Sequence, residues 1–194
     1  MSLPDPEKTE MSRLLRRIAL VGLVGSLALV SACTVRPLYS NAPLSPGSNA
    51  TANSELASIA VKPVKTRYAQ QLRTNLIFGF GRGAGEPASP AYSLDLAVTE
   101  AVESSALVQV GTDQDEPTAG SVTLTANYTL TDAKTGVVIT TGKRSITSSF
   151  DRPRQEFASY RAQIDAENRA ARELAEALQL SIAQDLVRVA KPAS

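Results

Sequence analysis

The chain has 194 residues, with 20 Lys+Arg against 19 Asp+Glu and a formal net charge of +1. That balance gives no whole-chain field to steer it onto nucleic acid, and neither a basic stripe nor interleaved aromatics supplies one locally. Histidine is absent and there is one cysteine, which removes the usual zinc ligand sets, Ser-His and Cys-His nucleophile pairs and any internal disulfide, so no cofactor or metal is expected.

Arg13, Arg16 and Arg17 precede an apolar run from Ile18 to Val30. As a helix that run is about 20 Å long, too short for a hydrocarbon core of about 30 Å. A positive region, a short apolar region and small residues before a cut site make residues 1–32 an expected export signal. Val30-Ser31-Ala32-Cys33 resembles the lipobox of bacterial lipoproteins, with an aliphatic residue at the third position before the cysteine and two small ones after it. The expected cut lies between Ala32 and Cys33, and the Cys33 thiol is the expected point of lipid attachment. The other reading, a lone core cysteine closing an internal signal anchor, fits the small residues less well. Residues 33–54, rich in Asn, Pro, Ser, Gly, Ala and Thr after Tyr39, read as a lipidated N-terminus and flexible linker. A single domain with a real core is expected over 55–190.

From Glu55 to Val64 the alternation of Ala57, Ile59 and Val61 with polar or small residues predicts a strand. Thr66 is placed to cap a helix from Arg67 to Phe78 with Tyr68, Leu72 and Leu76 on one face. Gly79, Gly81, Gly83 and Gly85 follow a helix rather than a strand, with no Lys-Ser or Lys-Thr after them, so they read as a helix stop and mobile loop rather than a phosphate cradle. Tyr92, Leu94, Leu96, Val98, Val102, Ala106, Val108 and Val110 share one parity, which predicts a long strand with one wet face and a bend or bulge. Residues 111–120 carry Asp113, Asp115, Glu116 and Pro117 and read as a solvated hairpin tip. A calcium loop would need more oxygen ligands and a defined turn glycine.

Val122 to Leu130 alternates with Thr123, Thr125, Asn127, Thr129 and Thr131, the clearest strand in the chain. Asp132-Ala133-Lys134-Thr135-Gly136 predicts a hairpin turn, and Val137 to Phe150 the return strand. A slip at Gly142 would bring Val137, Ile139, Ile146 and Phe150 onto one face, so a bulge is expected there. After Pro153, a helix from Gln155 to Val189 carries a stripe of Ile164, Ala171, Leu174, Ala175, Leu178, Ile182, Leu186 and Val189. Arg161, Glu167, Arg169, Glu173, Glu176 and Asp185 are expected mostly on its outer faces.

The order strand, helix, three strands, helix predicts an α+β two-layer sandwich: a four-stranded, mostly antiparallel sheet with two helices on one face. The opposite face is rich in Thr, Ser and Asn and nearly uncharged, which suits contact with a polar protein wall. Lys134, Lys143 and Arg144 surround the predicted hairpin and offer cations for phosphate groups, although hairpin ends commonly carry such residues for solvation alone.

Cys33-Thr34-Val35-Arg36-Pro37-Leu38-Tyr39 resembles the opening Cys-Gly-Phe-Arg-Pro-Leu-Tyr of mature LptE-family lipoproteins of alphaproteobacteria, with Thr34 and Val35 in place of the small and aromatic residues. Ile59-Ala60-Val61-Lys62-Pro63-Val64, followed by Arg67, Gln71, Leu72, Arg73, Asn75 and Leu76, resembles that family's first strand and helix. The resemblance implies a lipid-anchored outer-membrane protein facing the periplasm, which is no enzyme. It implies a domain that plugs the LptD β-barrel, helps it assemble, and contacts lipopolysaccharide, for which Lys134, Lys143 and Arg144 are the candidates. Two other functions share some of these features: an auxiliary outer-membrane lipoprotein of an ABC-type lipid transporter, and a lipid-anchored hydrolase using the carboxylates Asp113, Asp115 and Glu116.

Overall fold

The computed structural model describes Pro43 and residues 51–107 and 117–190. Within them the chain forms helix α1 (Ala52–Ala57), strand β1 (Ile59–Val61), helix α2 (Arg67–Gly81), strands β2 (Tyr92–Leu107), β3 (Pro117–Asp132) and β4 (Val138–Asp151), and helix α3 (Glu156–Ala190). The strands lie in chain order in one sheet, β1 parallel to β2 and the rest antiparallel. One apolar cluster joins Leu56, Ile59, Leu72, Leu76, Phe80, Leu94, Leu124, Leu130, Leu174, Leu178 and Ile182, so the helices cover one sheet face. This is the α+β sandwich that the element order predicts.

The strand expected from Glu55 begins later. Ala52 and Leu56 sit at helical spacing and are both buried. Thr51 and Ser54 form a reciprocal capping box, which satisfies donors that a short helix otherwise leaves open. Glu55 then accepts a 2.6 Å hydrogen bond from the Tyr92 hydroxyl, and burial followed by this bond pushes the phenol up to about 12. The folded unit therefore reaches back to Thr51, into the stretch expected to be linker. Only Ile59–Val61 is strand.

Helix α2 runs through two of the four glycines instead of stopping at Phe78. Gly79 inside a helix costs about 1 kcal/mol relative to alanine. One further turn buries Phe80 beside Leu76, which contributes about 1.5–3 kcal/mol and wins. The helix ends at Arg82 in the left-handed region (φ 50), followed by Gly83 (φ 87). Thr66 is the N-cap by position, but its side chain makes no capping bond.

In the long hairpin the register shifts between Ser104 and Leu107, the bulge expected of β2. Val108, Val110 and the acidic residues 113–116 lie outside the described residues. Pro117–Gly120 is strand rather than loop.

In β4 the slip falls at Ile139, where Leu130 pairs with Thr140 and Thr131 with Val138, and not at Gly142. Gly142 stands opposite Tyr128, and a Cβ there would lie 2.5 Å from the Tyr128 hydroxyl. The glycine makes room for a ring. Val137 consequently stays exposed in the turn.

The turn itself is organised by Asp132, whose Oδ1 accepts from the Lys134 and Thr135 amides and the Thr135 hydroxyl at 2.8–3.0 Å, while Gly136 takes φ 72. Those bonds, the Thr135 amide first, hold the Asp132 carboxyl below its ordinary 3.8. A depressed folded-state value means that the stabilisation is present above the ordinary value and is lost as pH falls through the folded one. Asp132→Ala is accordingly expected to lose stability at neutral pH and to show a shallower acid decline than wild type, read by urea titration from pH 7 to 2.5. Parallel curves would refute the capping role.

Helices α2 and α3 run side by side in the same direction. Arg67 pairs with Glu167 and donates to Asn168 near one end, and Gln179 donates to the Gly79 carbonyl at the other. Glu167 and Asp185, expected outside, are buried because each has partners inward. Asp185 accepts from Tyr128 and Thr140 at 2.9 and 3.0 Å.

Candidate functional site

With helices on one face, the other face of the sheet is left to the odd-numbered side chains of β2, β3 and β4. Threonine dominates it because β-branched side chains suit the pleat, and its hydroxyls bond across strands. Thr123 meets Thr147 at 2.8 Å and Thr125 meets Ser145 at 2.9 Å. Thr131 donates to the Ser93 carbonyl at 3.2 Å. Around them stand Ser121, Thr129, Thr141 and Ser149, with Asn127 exposed among them. Charge is confined to the margins: Asp95 is paired with Lys62 at 2.9 Å, Glu103 lies toward the hairpin end, and Lys143 lies on β4. The result is a broad hydroxyl array, pre-ordered by its own hydrogen bonds.

Arginine side chains engage individual backbone groups at both outer edges of the sheet. At β1 the Val61 amide donates to Glu86 Oε1 at 3.2 Å and the Val61 carbonyl accepts from Arg73 Nε at 3.0 Å. Arg73 and Glu86 are themselves joined at 2.8 and 2.9 Å. At β4, Arg169 from α3 donates to the Ser149 carbonyl at 2.7 Å, and Arg144 to the Lys143 carbonyl at 2.8 Å. Free edge groups template unwanted strand pairing, and these arginines engage some of them. Helical periodicity predicts an outer face for Arg169 and assigns Glu86 no role, because an edge contact between residues far apart in sequence has no periodic signature.

The three cations expected to act together are spread out. Lys134 is exposed in the β3–β4 turn. Lys143 and Arg144 are neighbours on β4 and therefore point to opposite faces. Lys143 borders the threonine array, whereas Arg144 reaches toward the helices and donates to Ser181 at 2.8 Å. Ala32 and Cys33 lie outside the described residues. So do Asp113, Asp115 and Glu116, and among the described residues no group of three or more acidic, histidine or cysteine side chains is placed to hold a metal. No helix among them is long and apolar enough to cross a membrane.

The sequence model of LptE, described as lipopolysaccharide-assembly, matches residues 56–182, which is most of the folded unit. The chain belongs to the LptE family. Among solved structures, one described as a lipoprotein from Caulobacter crescentus CB15 shares 25% identity at a TM-score of 0.56, covering 69% of this chain and 93% of that one. Rare lipoprotein B from Shewanella oneidensis shares the fold at 12% identity and a TM-score of 0.51, covering 69% and 97%. No curated protein matches the chain. At family level the chain is thus a lipopolysaccharide-assembly lipoprotein. The sheet, its threonine face and the arginine contacts at its two edges all fall within the LptE-matched stretch.

Proposed function

We propose that this LptE-family chain is a non-enzymatic outer-membrane lipoprotein whose domain plugs the LptD β-barrel and helps it assemble for lipopolysaccharide transport. Residues 1–32 are removed, and Cys33 carries the lipid that holds the domain on the periplasmic side of the outer membrane. Two or more acyl chains give stable anchoring at about 0.8 kcal/mol per buried methylene. The observation that carries the reading is the open, nearly uncharged hydroxyl face of the sheet. Barrel lumens are polar, and a nearly uncharged hydroxyl surface pairs with such a wall without burying unpaired charge. The lipopolysaccharide contact is assigned to the exposed Lys134 of the β3–β4 turn and Lys143 beside the hydroxyl array, where cations meet phosphate, while Arg144 is turned to the helices and engaged by Ser181.

The test is recovery of tagged full-length protein from detergent-solubilised outer membrane. A stoichiometric β-barrel partner is expected with wild type. Thr125→Arg, which places a charge in the middle of the array, is expected to lower that recovery about tenfold, equivalent to about 1.4 kcal/mol. Cys33→Ala is expected to leave the membrane fraction. Lys134→Ala combined with Lys143→Ala is expected to keep the barrel and lose lipopolysaccharide. Recovery without any barrel, or with a transporter subunit instead, overturns the plug.

A further inference from the structure

Pro43 forms an antiparallel bridge with Thr51, the N-cap of α1. In an antiparallel pair the residues before one partner run alongside the residues after the other. The chain upstream of Pro43 therefore heads toward the first turn of α1. Asn53 in that turn is one wall of a groove of about 600 Å³ between the three helices. Phe78, Gly79 and Arg82 of α2 form its second wall, and Glu176 and Gln179 of α3 its third. The two longer helices are tied together there, because Gln179 Nε2 donates to the Gly79 carbonyl at 3.2 Å. A Cβ at Gly79 would lie 2.6 Å from Gln179 Oε1, so the glycine lets that amide lie against α2. Phe78 is 68% exposed, yet its ring is backed by Gly83, where a Cβ would lie 3.4 Å from Cε2. A large apolar ring is thus held at the groove with most of its surface in water.

We propose that Leu38 and Tyr39 of the chain's own N-terminal segment dock in this groove, as a strap across α1, α2 and α3. Position and length favour that occupant. Tyr39 precedes Pro43 by four residues and Leu38 by five, which is about 13 and 17 Å of extended chain. Only Ser40, Asn41 and Ala42 lie between, so the first large side chains to follow the bridge into the groove are these two. Chemistry favours it as well. The groove sets one aromatic ring among amide and charged side chains, and tyrosine presents the matching pair, an apolar ring with a hydroxyl at its tip. Leu38 adds aliphatic cover over Phe78.

The strap shortens the tether. It leaves five residues from Cys33 to Leu38, about 17 Å of extended chain, in place of the eighteen from Cys33 to Thr51. That consequence rests on lipid attachment at Cys33. The docking itself does not, and neither depends on the barrel reading.

The chain has no tryptophan, so Phe78→Trp gives full-length protein in detergent a single fluorophore at the groove. With the strap in place the indole is expected to emit to the blue and to resist acrylamide. Adding Leu38→Ser and Tyr39→Ser is expected to shift the emission to the red and to restore quenching in the same detergent, with circular dichroism unchanged. A second measurement leaves the groove intact: a photoreactive benzophenone amino acid in place of Tyr39 is expected to cross-link to the tryptic peptides Thr74–Arg82 and Glu173–Arg188. Equal quenching with and without the two serines, or cross-links confined to other peptides, overturns the strap. Neither readout needs an acyl chain or a barrel, so such a failure leaves the Cys33 anchor and the plug standing.

Discussion

Gly142→Ala is expected to destabilise the domain by about 2–6 kcal/mol, far more than a surface Gly-to-Ala change on an edge strand. The added Cβ would lie 2.5 Å from the Tyr128 hydroxyl and 2.6 Å from two ring carbons, so the ring must move. It is not free to move. Tyr128 donates to Asp185 Oδ2 at 2.9 Å, and Ser181 lies 2.9 Å from the same hydroxyl while accepting from Arg144. Burial, foremost, raises the phenol above its usual value. Displacing the ring adds overpacking of about 1–3 kcal/mol to the loss of a buried bond to a charged group, about 1–3 kcal/mol more. Urea unfolding of Gly142→Ala, Tyr128→Val and the double variant measures the coupling. Tyr128→Val makes room for the new methyl, so the double variant is expected to be markedly more stable than the sum of the singles predicts. Additivity would mean that the ring and the glycine do not meet.

This pair also shows why parts of the fold were legible in the sequence and others were not. The period of two in Val122–Leu130 and the stripe of Leu174, Leu178 and Ile182 each report a single element's exposure, and both predict their buried faces correctly. Along its own strand Gly142 reads as a slip in pairing, and only the cross-strand register shows that it makes room for Tyr128 instead. Glu167 and Asp185 read as outward because charge is costly to bury. Their partners Arg67, Tyr128 and Thr140 sit on other elements, where no local pattern announces them. The helix around Leu56 was hidden for a different reason: positions 52 and 56 at helical spacing overlap positions 57, 59 and 61 at strand spacing, and the capping box decides between them. The threonine face was visible from alternation alone. The edge contacts of Arg73, Glu86 and Arg169 were not.

Leu174→Ala and Val189→Ala belong to the same sequence stripe and are expected to differ widely. Leu174 is 0% exposed inside the cluster that α3 forms over the sheet, whereas Val189 is 59% exposed near the helix end. Removing the Leu174 side chain loses its transfer energy and leaves a cavity whose walls belong to a sheet with staggered hydrogen-bonded strands, which cannot collapse freely. The expected cost is about 2–5 kcal/mol. For a domain of this size that lowers Tm by about 10 °C. Val189→Ala removes atoms that already touch water and is expected to stay within about 0.5 kcal/mol of wild type. Thermal unfolding followed by circular dichroism separates the two. Equal losses would mean that α3 is clamped along its whole stripe, including its final turn. A large loss at Leu174 with none at Val189 places the energy of the helix in its middle turns, over β3 and β4, and leaves its last turn outside the folding unit's core.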